Sequence, residues 1–253
     1  MKSQTLCRLA ATVSAVVLSL SVHAAEPAII AKARAYLGKE SALNGVDSLR
    51  YVGTMIAADP ADPSKETRSA LEISFQNPYQ QLIVVTSEKL VDMTGLDGYE
   101  AWRRTHEVAN PAKWKQANLD KNQIKRIRAE TWENLALLRG DARSEVRVED
   151  QGPASTDGIA CQKIAFIHDE NIVFFRFFEV ATGRLVLTET EAGTQIREQG
   201  EIVVNGIKFP KSMTTTAKNA AGQAQKITVN FEQIVVNETM PNAIFKTPML
   251  VTK

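Results

Sequence analysis

From residue 49 onward, apolar and polar positions alternate along most of the chain. "LRYVGTMIA" (49–57), "RSALEISFQ" (68–76), "QQLIVVTS" and "KLVDMTG" place apolar side chains at every second position and are separated by Pro, Asn and Gly. Period two bounded by turn residues is strand behaviour. The pattern resumes later with "EVRVED", "GIACQKIAFIH", "NIVFFRFFEV", "GRLVLTETE", "TQIREQGEIVV", "IKFPKSMTTTAK" and "QKITVNFEQIVV". Thr182-Gly183, Asn205-Gly206 and Asn219 to Gly222 are hairpin turns by residue type. Strands joined by tight turns form a meander, so an antiparallel sheet is predicted.

Two stretches carry helical spacing instead. In Pro27 to Gly38, Ile29, Ile30, Ala33, Tyr36 and Leu37 recur at helical intervals, and Asn44-Gly45 ends the run. Residues 111–139 interrupt the strands. There "NLDKNQIKRIRAETWENLALLR" lacks Gly and Pro and gathers Ile124, Ile127, Trp132, Leu135 and Leu138 mostly on one side, with Asp120 as N-cap and Gly140 as the stop. The expected fold is α+β, mostly β, in one domain over residues 25–253, without repeats or a low-complexity linker.

"IVFFRFF" breaks the alternation. Phe174, Arg176 and Phe178 point one way, while Val173, Phe175 and Phe177 point the other, so both faces of that strand need an apolar cover. Two readings follow: a fully packed core strand, or one face lining a hollow that holds an apolar ligand under a helical lid.

Composition narrows the setting. Lys2 and Arg8 precede an apolar run from Leu9 to Val22, and Val22 and Ala24 supply the small residues of a cleavage site, so residues 1–24 read as a signal peptide. Lys2 and Arg8 would leave with it and no acid would, taking the formal net charge from +1 to −1. That balance predicts no bulk attraction to nucleic acid or an anionic membrane. Cys161 would be the remaining cysteine, which precludes an internal disulfide, and His106 and His168 stand apart from each other, a poor inventory for zinc.

Candidate chemistry is sparse. "GLDGYEAWRR" (95–104) holds Asp97 and Glu100 beside Trp102, Arg103 and Arg104. Asp97-Gly98 is a preferred hairpin dipeptide, however, and Trp102 then anchors the returning strand. Cys161, mid-strand, reads as a buried structural thiol. His168 with Asp169 and Glu170 reads as a hairpin cap rather than a base with an orienting acid. Lys121, Lys125, Arg126 and Arg128 form a basic run, either a solvated helix face or a contact for lipid headgroups or a partner. "NET" (237–239) is a glycosylation sequon. No nucleophile elbow, Walker loop or dinucleotide fingerprint is present, and neither an enzyme nor a cofactor is expected.

The order of elements resembles the LolA-like family, the periplasmic carriers of outer-membrane lipoproteins and their relatives. "LNGVDSLRYVGTM" resembles its strand opening and "ISFQNPYQQLIV" its strand, proline turn and strand. Gly95, Asp97, Gly98 and Trp102 match its G-x-D-G-x-x-x-W hairpin. "VNGIKFP" and "NAIFKTP", with Pro210, Phe245 and Pro248, match its closing pattern. The resemblance implies a curved half-barrel sheet, helices covering its concave face, and an apolar hollow for acyl chains. Trp102, Phe174, Phe178, Phe209, Met213 and Phe231 are the expected lining, and Phe178→Asp is expected to abolish lipid binding while leaving the fold. The carriers commonly place a basic residue before the proline of the early hairpin. Here Asn77 precedes Pro78, a departure that bears on lipoprotein transfer and not on the fold.

The function expected is therefore an exported, monomeric periplasmic protein sheltering an acyl lipid or lipoprotein, with membrane proteins of the envelope as candidate partners. The alternative from another class is an envelope interaction module with a packed core and no ligand. An exported hydrolase is the third reading, and no convergent catalytic set supports it.

Overall fold

A computed structural model of the chain describes residues 26–59, 62, 65–139, 146–218 and 222–249. Helices α1 (Ala28–Leu37) and α2 (Glu40–Asn44) lead into six strands: β1 (Ser48–Ala58), β2 (Glu66–Gln76), β3 (Gln80–Thr86), β4 (Leu90–Asp97), β5 (Glu100–Glu107) and β6 (Trp114–Asn118). Helix α3 (Lys121–Ala136) follows. Seven more strands follow among the described residues, β7 (Arg147–Thr156), β8 (Ile159–Asp169), β9 (Ile172–Glu179), β10 (Leu185–Thr190), β11 (Gln195–Val204), β12 (Ile207–Lys218) and β13 (Ala224–Val236), and then a short 3-10 helix (Asn242–Ile244). Helix α2 and strand β6 are additions to the sequence expectation. "WKQAN" is too short and too polar to alternate, and β6 earns its place through pairing with β5 from His106–Trp114 to Trp102–Asn118.

All thirteen strands form one antiparallel sheet in the order β6-β5-β4-β3-β2-β1-β13-β12-β11-β10-β9-β8-β7. The edge strands β6 and β7 do not pair, so the sheet stays open, and its form fits a half-barrel. Two meanders meet at the centre, where β1 lies against β13 and Leu49 faces Val236. This order constrains α3. It connects β6 to β7, the two opposite edges, so the connection must travel the full width of the sheet.

Asp120 caps α3 through its carboxylate, which accepts from the backbone of Asn122 and Gln123, while the Gln123 side chain returns a bond to the Asp120 backbone N–H (2.9 Å). That reciprocal box satisfies donors the helix leaves open. The far end turns left-handed at Leu137 and Leu138, before Gly140, which lies outside the described residues. A buried arginine closes it: Arg34 of α1 donates Nη1 to the carbonyls of Ala136 (3.2 Å) and Leu137 (2.7 Å). Glu40 and Asn44 hold the same guanidinium from the other side, and hydrogen bonding from Arg34 holds the Glu40 carboxyl below its ordinary range.

The hairpin turns follow residue type. Asn205 and Gly206 both take positive φ, as do Asp157 and Gly158, the geometry of a two-residue turn matched to strand twist. Residues 60, 61, 63 and 64 of the first polar loop and residues 219–221 of the last turn lie outside the described residues.

The apolar core has three parts. One gathers Leu49, Tyr51, Phe75, Phe209, Phe231 and Ile234 near the central seam, with Leu135 of α3 against them. A second packs Ile30 and Ala33 of α1 and Ala129 of α3 onto Ile164, Phe166, Phe174 and Phe178. The third, with Cys161, Phe177, Val186 and Leu187, lies on the other face of the same strands. "IVFFRFF" is thus covered on both sides, as its composition required.

Candidate functional site

Between the first two clusters a hollow of about 780 Å³ opens, lined by α3 and by strands from β1–β3 and β9–β13. Its volume lies within the range of about 300–1,000 Å³ typical of small-molecule sites. The walls differ.

The apolar wall is built around Tyr51 at the middle of β1. Side chains of a strand alternate between faces, and the register sets Tyr51 opposite Ile73 of β2 and Ile234 of β13. Phe75 and Phe209 meet its ring edge-on at 6.2 and 6.1 Å, and Phe231 lies tilted at 5.1 Å. Met213 and Val229, paired across β12 and β13, extend the surface. Burial, with a smaller contribution from Glu198, pushes the Tyr51 phenol far up. Its hydroxyl makes no hydrogen bond among the described residues, although Tyr51 is only 7% exposed.

The other wall is charged. Glu133 of α3 lies with Oε1 2.5 Å from His168 Nε2 and Oε2 2.6 Å from Arg176 Nη1. All three are largely buried, and the Arg176 guanidinium stacks on the Phe166 ring at 4.6 Å. The short Nη1 approach is an ion pair out of line for a hydrogen bond, and Arg176 Nε has no partner among the described residues. Burial alone would raise the Glu133 carboxyl. Arg176 and His168 outweigh it and hold the group below its ordinary range. Glu198 of β11 and Glu130 of α3 face the same hollow, and neither carboxylate forms an ion pair or hydrogen bond among the described residues. Burial raises both, against the pull of Arg176 on Glu198 and of Arg126 on Glu130. Protein surrounds both groups, yet each keeps partial accessibility because it faces the hollow.

Of the residues expected to line a cavity, Phe174, Phe209, Met213 and Phe231 border the hollow. Trp102 does not. Register puts Leu82, Gly95 and Trp102 in one cross-strand row, on the face opposite the row of lining residue Ile83. There the Trp102 ring lies over Gly95, where a Cβ would come within 2.3 Å of it, and Nε1 donates to the Phe245 carbonyl (2.9 Å). Phe178 shares the face of Phe174, but α1 fills the space above it and leaves it fully buried. A carboxylate at 178 would sit in apolar packing, so Phe178→Asp is expected to unfold the protein rather than act on binding alone.

Gly95, Asp97 and Gly98 of the hairpin "GLDGYEAWRR" serve its packing and its turn. Gly95 makes room for Trp102, Asp97 accepts from Gln80 Nε2 (2.9 Å), and Gly98 supplies φ of +64°. Asp97 pairs with Glu100, so the two turn residues are Gly98-Tyr99, one position later than the Asp97-Gly98 dipeptide.

His168 is also displaced from its expected role. It lies on β8 bound to Glu133, and hairpin-tip contacts fall to Asp169, which is tied to Lys125. Of the basic run of α3, Lys125, Arg126 and Arg128 are engaged within the molecule. Arg126 is paired with Glu191, and Arg128 donates to the Gly98 carbonyl (2.6 Å) between the rings of Tyr79 and Tyr99. Asn77 Nδ2 donates to the Val46 carbonyl (3.2 Å), fastening the early hairpin to the start of β1. Sequence reasoning missed Glu130, Glu133 and Glu198. The available signal was Arg176, a cation between phenylalanines that demanded an acid nearby.

The arrangement offers an aromatic trough on one side and carboxylates that can accept hydrogen bonds on the other. Among the described residues no group of three or more His, Cys, Asp or Glu is placed to hold a metal ion, and no helix is long and apolar enough to cross a membrane.

No protein-family model matches the chain, and no curated protein matches it by sequence. Solved structures do match. A LolA superfamily protein, NE2245 from Nitrosomonas europaea, superposes with a TM-score of 0.55 at 12% identity, over 87% of this chain and 96% of that one. A DUF1329 family protein from Desulfovibrio piger gives 0.54 at 8%, over 87% and 96%. A putative outer membrane lipoprotein-sorting protein domain from Vibrio parahaemolyticus gives 0.54 at 9%, over 85% and 94%. Identities this low speak for architecture alone, and on that the geometry and the comparisons agree: the chain has a LolA-like fold.

Proposed function

We propose that the protein is a binding protein or carrier of the bacterial envelope that shelters an acyl chain, from a lipid or a lipoprotein, in the hollow beside Tyr51. On this reading the helices close the concave side of the half-barrel, and Phe174, Phe209, Met213 and Phe231 contact the chain. Residues 1–24, outside the described residues, act as the leader that takes the protein to the periplasm. The observation that supports it most is an aromatic-walled hollow of about 780 Å³ within a LolA-like fold. Each buried methylene would contribute roughly 0.8 kcal/mol, so binding needs no catalysis and no cofactor. Asn77, spent on the Val46 carbonyl, favours a lipid over a lipoprotein that must be handed on, and membrane proteins of the envelope remain candidate partners for loading.

Native mass spectrometry of protein purified from its own periplasm, with lipid extraction of the same sample, tests the reading. An acyl species at fixed stoichiometry is expected. Protein that carries none and also refuses fluorescent acyl probes would overturn the proposal in favour of an interaction module.

A further inference from the structure

The hollow is more than an apolar trough, because its charged wall is unbalanced. Arg176 is matched by Glu133, and Arg126 by Glu191. Lys208, whose stem reaches the lining, spends its ammonium on Glu201 and the Tyr36 ring. That leaves the Glu198 and Glu130 carboxylates without a counter-cation among the described residues. The Tyr51 hydroxyl, which borders the same hollow, also makes no hydrogen bond among the described residues. Polar groups on side chains as buried as Tyr51 are hydrogen-bonded as a rule in folded proteins, so its missing partner calls for an explanation. A carboxylate or phosphate placed here would meet acids on both α3 and β11, while the nearest cation, Arg176, is already neutralised and stacked on Phe166.

We propose that the hollow recognises its ligand by the head as well as the tail: a single-chain amphiphile whose cationic amine headgroup sits on the Glu198 carboxylate and the Tyr51 hydroxyl, with its chain along Phe209, Met213 and Phe231. The amine donates to both oxygens and supplies the missing positive charge; Glu130 adds to the field from α3. A charge-assisted bond of this kind is roughly twice as strong as a neutral one, and it sets headgroup preference. This inference rests on the acyl-binding reading above and narrows its substrate class.

The test is displacement of a fluorescent acyl probe, below micellar concentrations, by three amphiphiles of equal chain: hexadecylamine, hexadecanol and hexadecanoate. Hexadecylamine is expected to bind about tenfold more tightly than hexadecanoate, with hexadecanol between. Glu198→Gln is expected to bring the amine and the carboxylate within about twofold of each other, a change within the reach of one charge-assisted bond. Tyr51→Phe, which keeps the ring packing and so the fold, is expected to reduce the amine's advantage about threefold. Hexadecanoate binding as well as the amine, or an amine preference that survives Glu198→Gln, would overturn the headgroup site and leave the carrier reading standing. Failure of all three to displace or bind would overturn the carrier reading itself.

Discussion

The two walls of the hollow border the same space and are held in place by opposite means. On the side of β1, β12 and β13, aromatic rings pack on one another, and each contact adds its own increment of buried surface. On the side of α3, β9 and β11, Glu133, His168 and Arg176 are mutually dependent: remove one and the others are stranded away from water. The first kind of wall fails gradually and the second fails at once. α3 is thus fixed to the sheet by charge, while the trough opposite it is held by packing alone.

The sharpest way to break the contrast is Glu133→Ala. It leaves Arg176 buried without its anion and is expected to cost about 3–5 kcal/mol in urea unfolding. Converting both partners together, Glu133→Leu with Arg176→Leu, is expected to recover most of that loss; a double variant as damaged as the single one would show that the pair is not the unit. On the apolar wall, half-buried Met213 at the hollow's edge gives a different expectation. Met213→Asp is expected to weaken acyl-probe binding by about tenfold or more, roughly 1.4 kcal/mol, while the melting temperature stays within a few degrees of wild type.

Titration separates the acids within the charged wall. Burial pushes the Glu198 carboxyl up against the opposing pull of Arg176, so its charged form is penalised in the folded state. A raised carboxyl makes the folded protein gain stability as pH falls from that raised value toward the ordinary 4.5. Glu198→Gln is therefore expected to melt a few degrees higher than wild type at neutral pH, with the gap closing as pH falls toward that value. Glu133 carries the opposite sign. Its carboxyl is held low, so its contribution is present above 4.5 and is lost as pH drops below it. A neutral-pH gap that fails to close on acidification would refute this assignment. The smallest effect is expected at the remote end of α3, where Asp120→Ala removes the capping carboxylate for about 1 kcal/mol in the same unfolding assay.

Most of the strands were legible because alternation and turn residues agree along them, as in β1, β2 and β13. What alternation encodes is the face, and what it omits is the position along the strand and the origin of parity. Phe178 shares a face with Phe174, but only the docking of α1 decides that one is packed over while the other borders the hollow. Trp102 was read one face wrong because its hairpin says nothing about which side the helices occupy; the ring anchors Phe245 on the outside. Glu130 and Glu133 look in sequence like the wet side of an amphipathic helix. They turn inward because α3 lies in the connection between the two sheet edges and packs back onto the sheet, where Glu133 meets His168 and Arg176. That path is set by strand order, a property of the whole chain that no window of residues contains.

The strand order has a last consequence, for the route by which the molecule assembles. The centre of the sheet is the seam between its first and last strands, and Leu49 waits for Val236. Each meander can zip locally from hairpin to hairpin, but the two halves join only when nearly all of the polypeptide is available, and loop closure over such a separation slows folding. The sheet is thus fastened in the middle, late, like a clasp. A chain kept extended until its final strand is free would forfeit little by the delay, since no earlier moment offers the seam its second side.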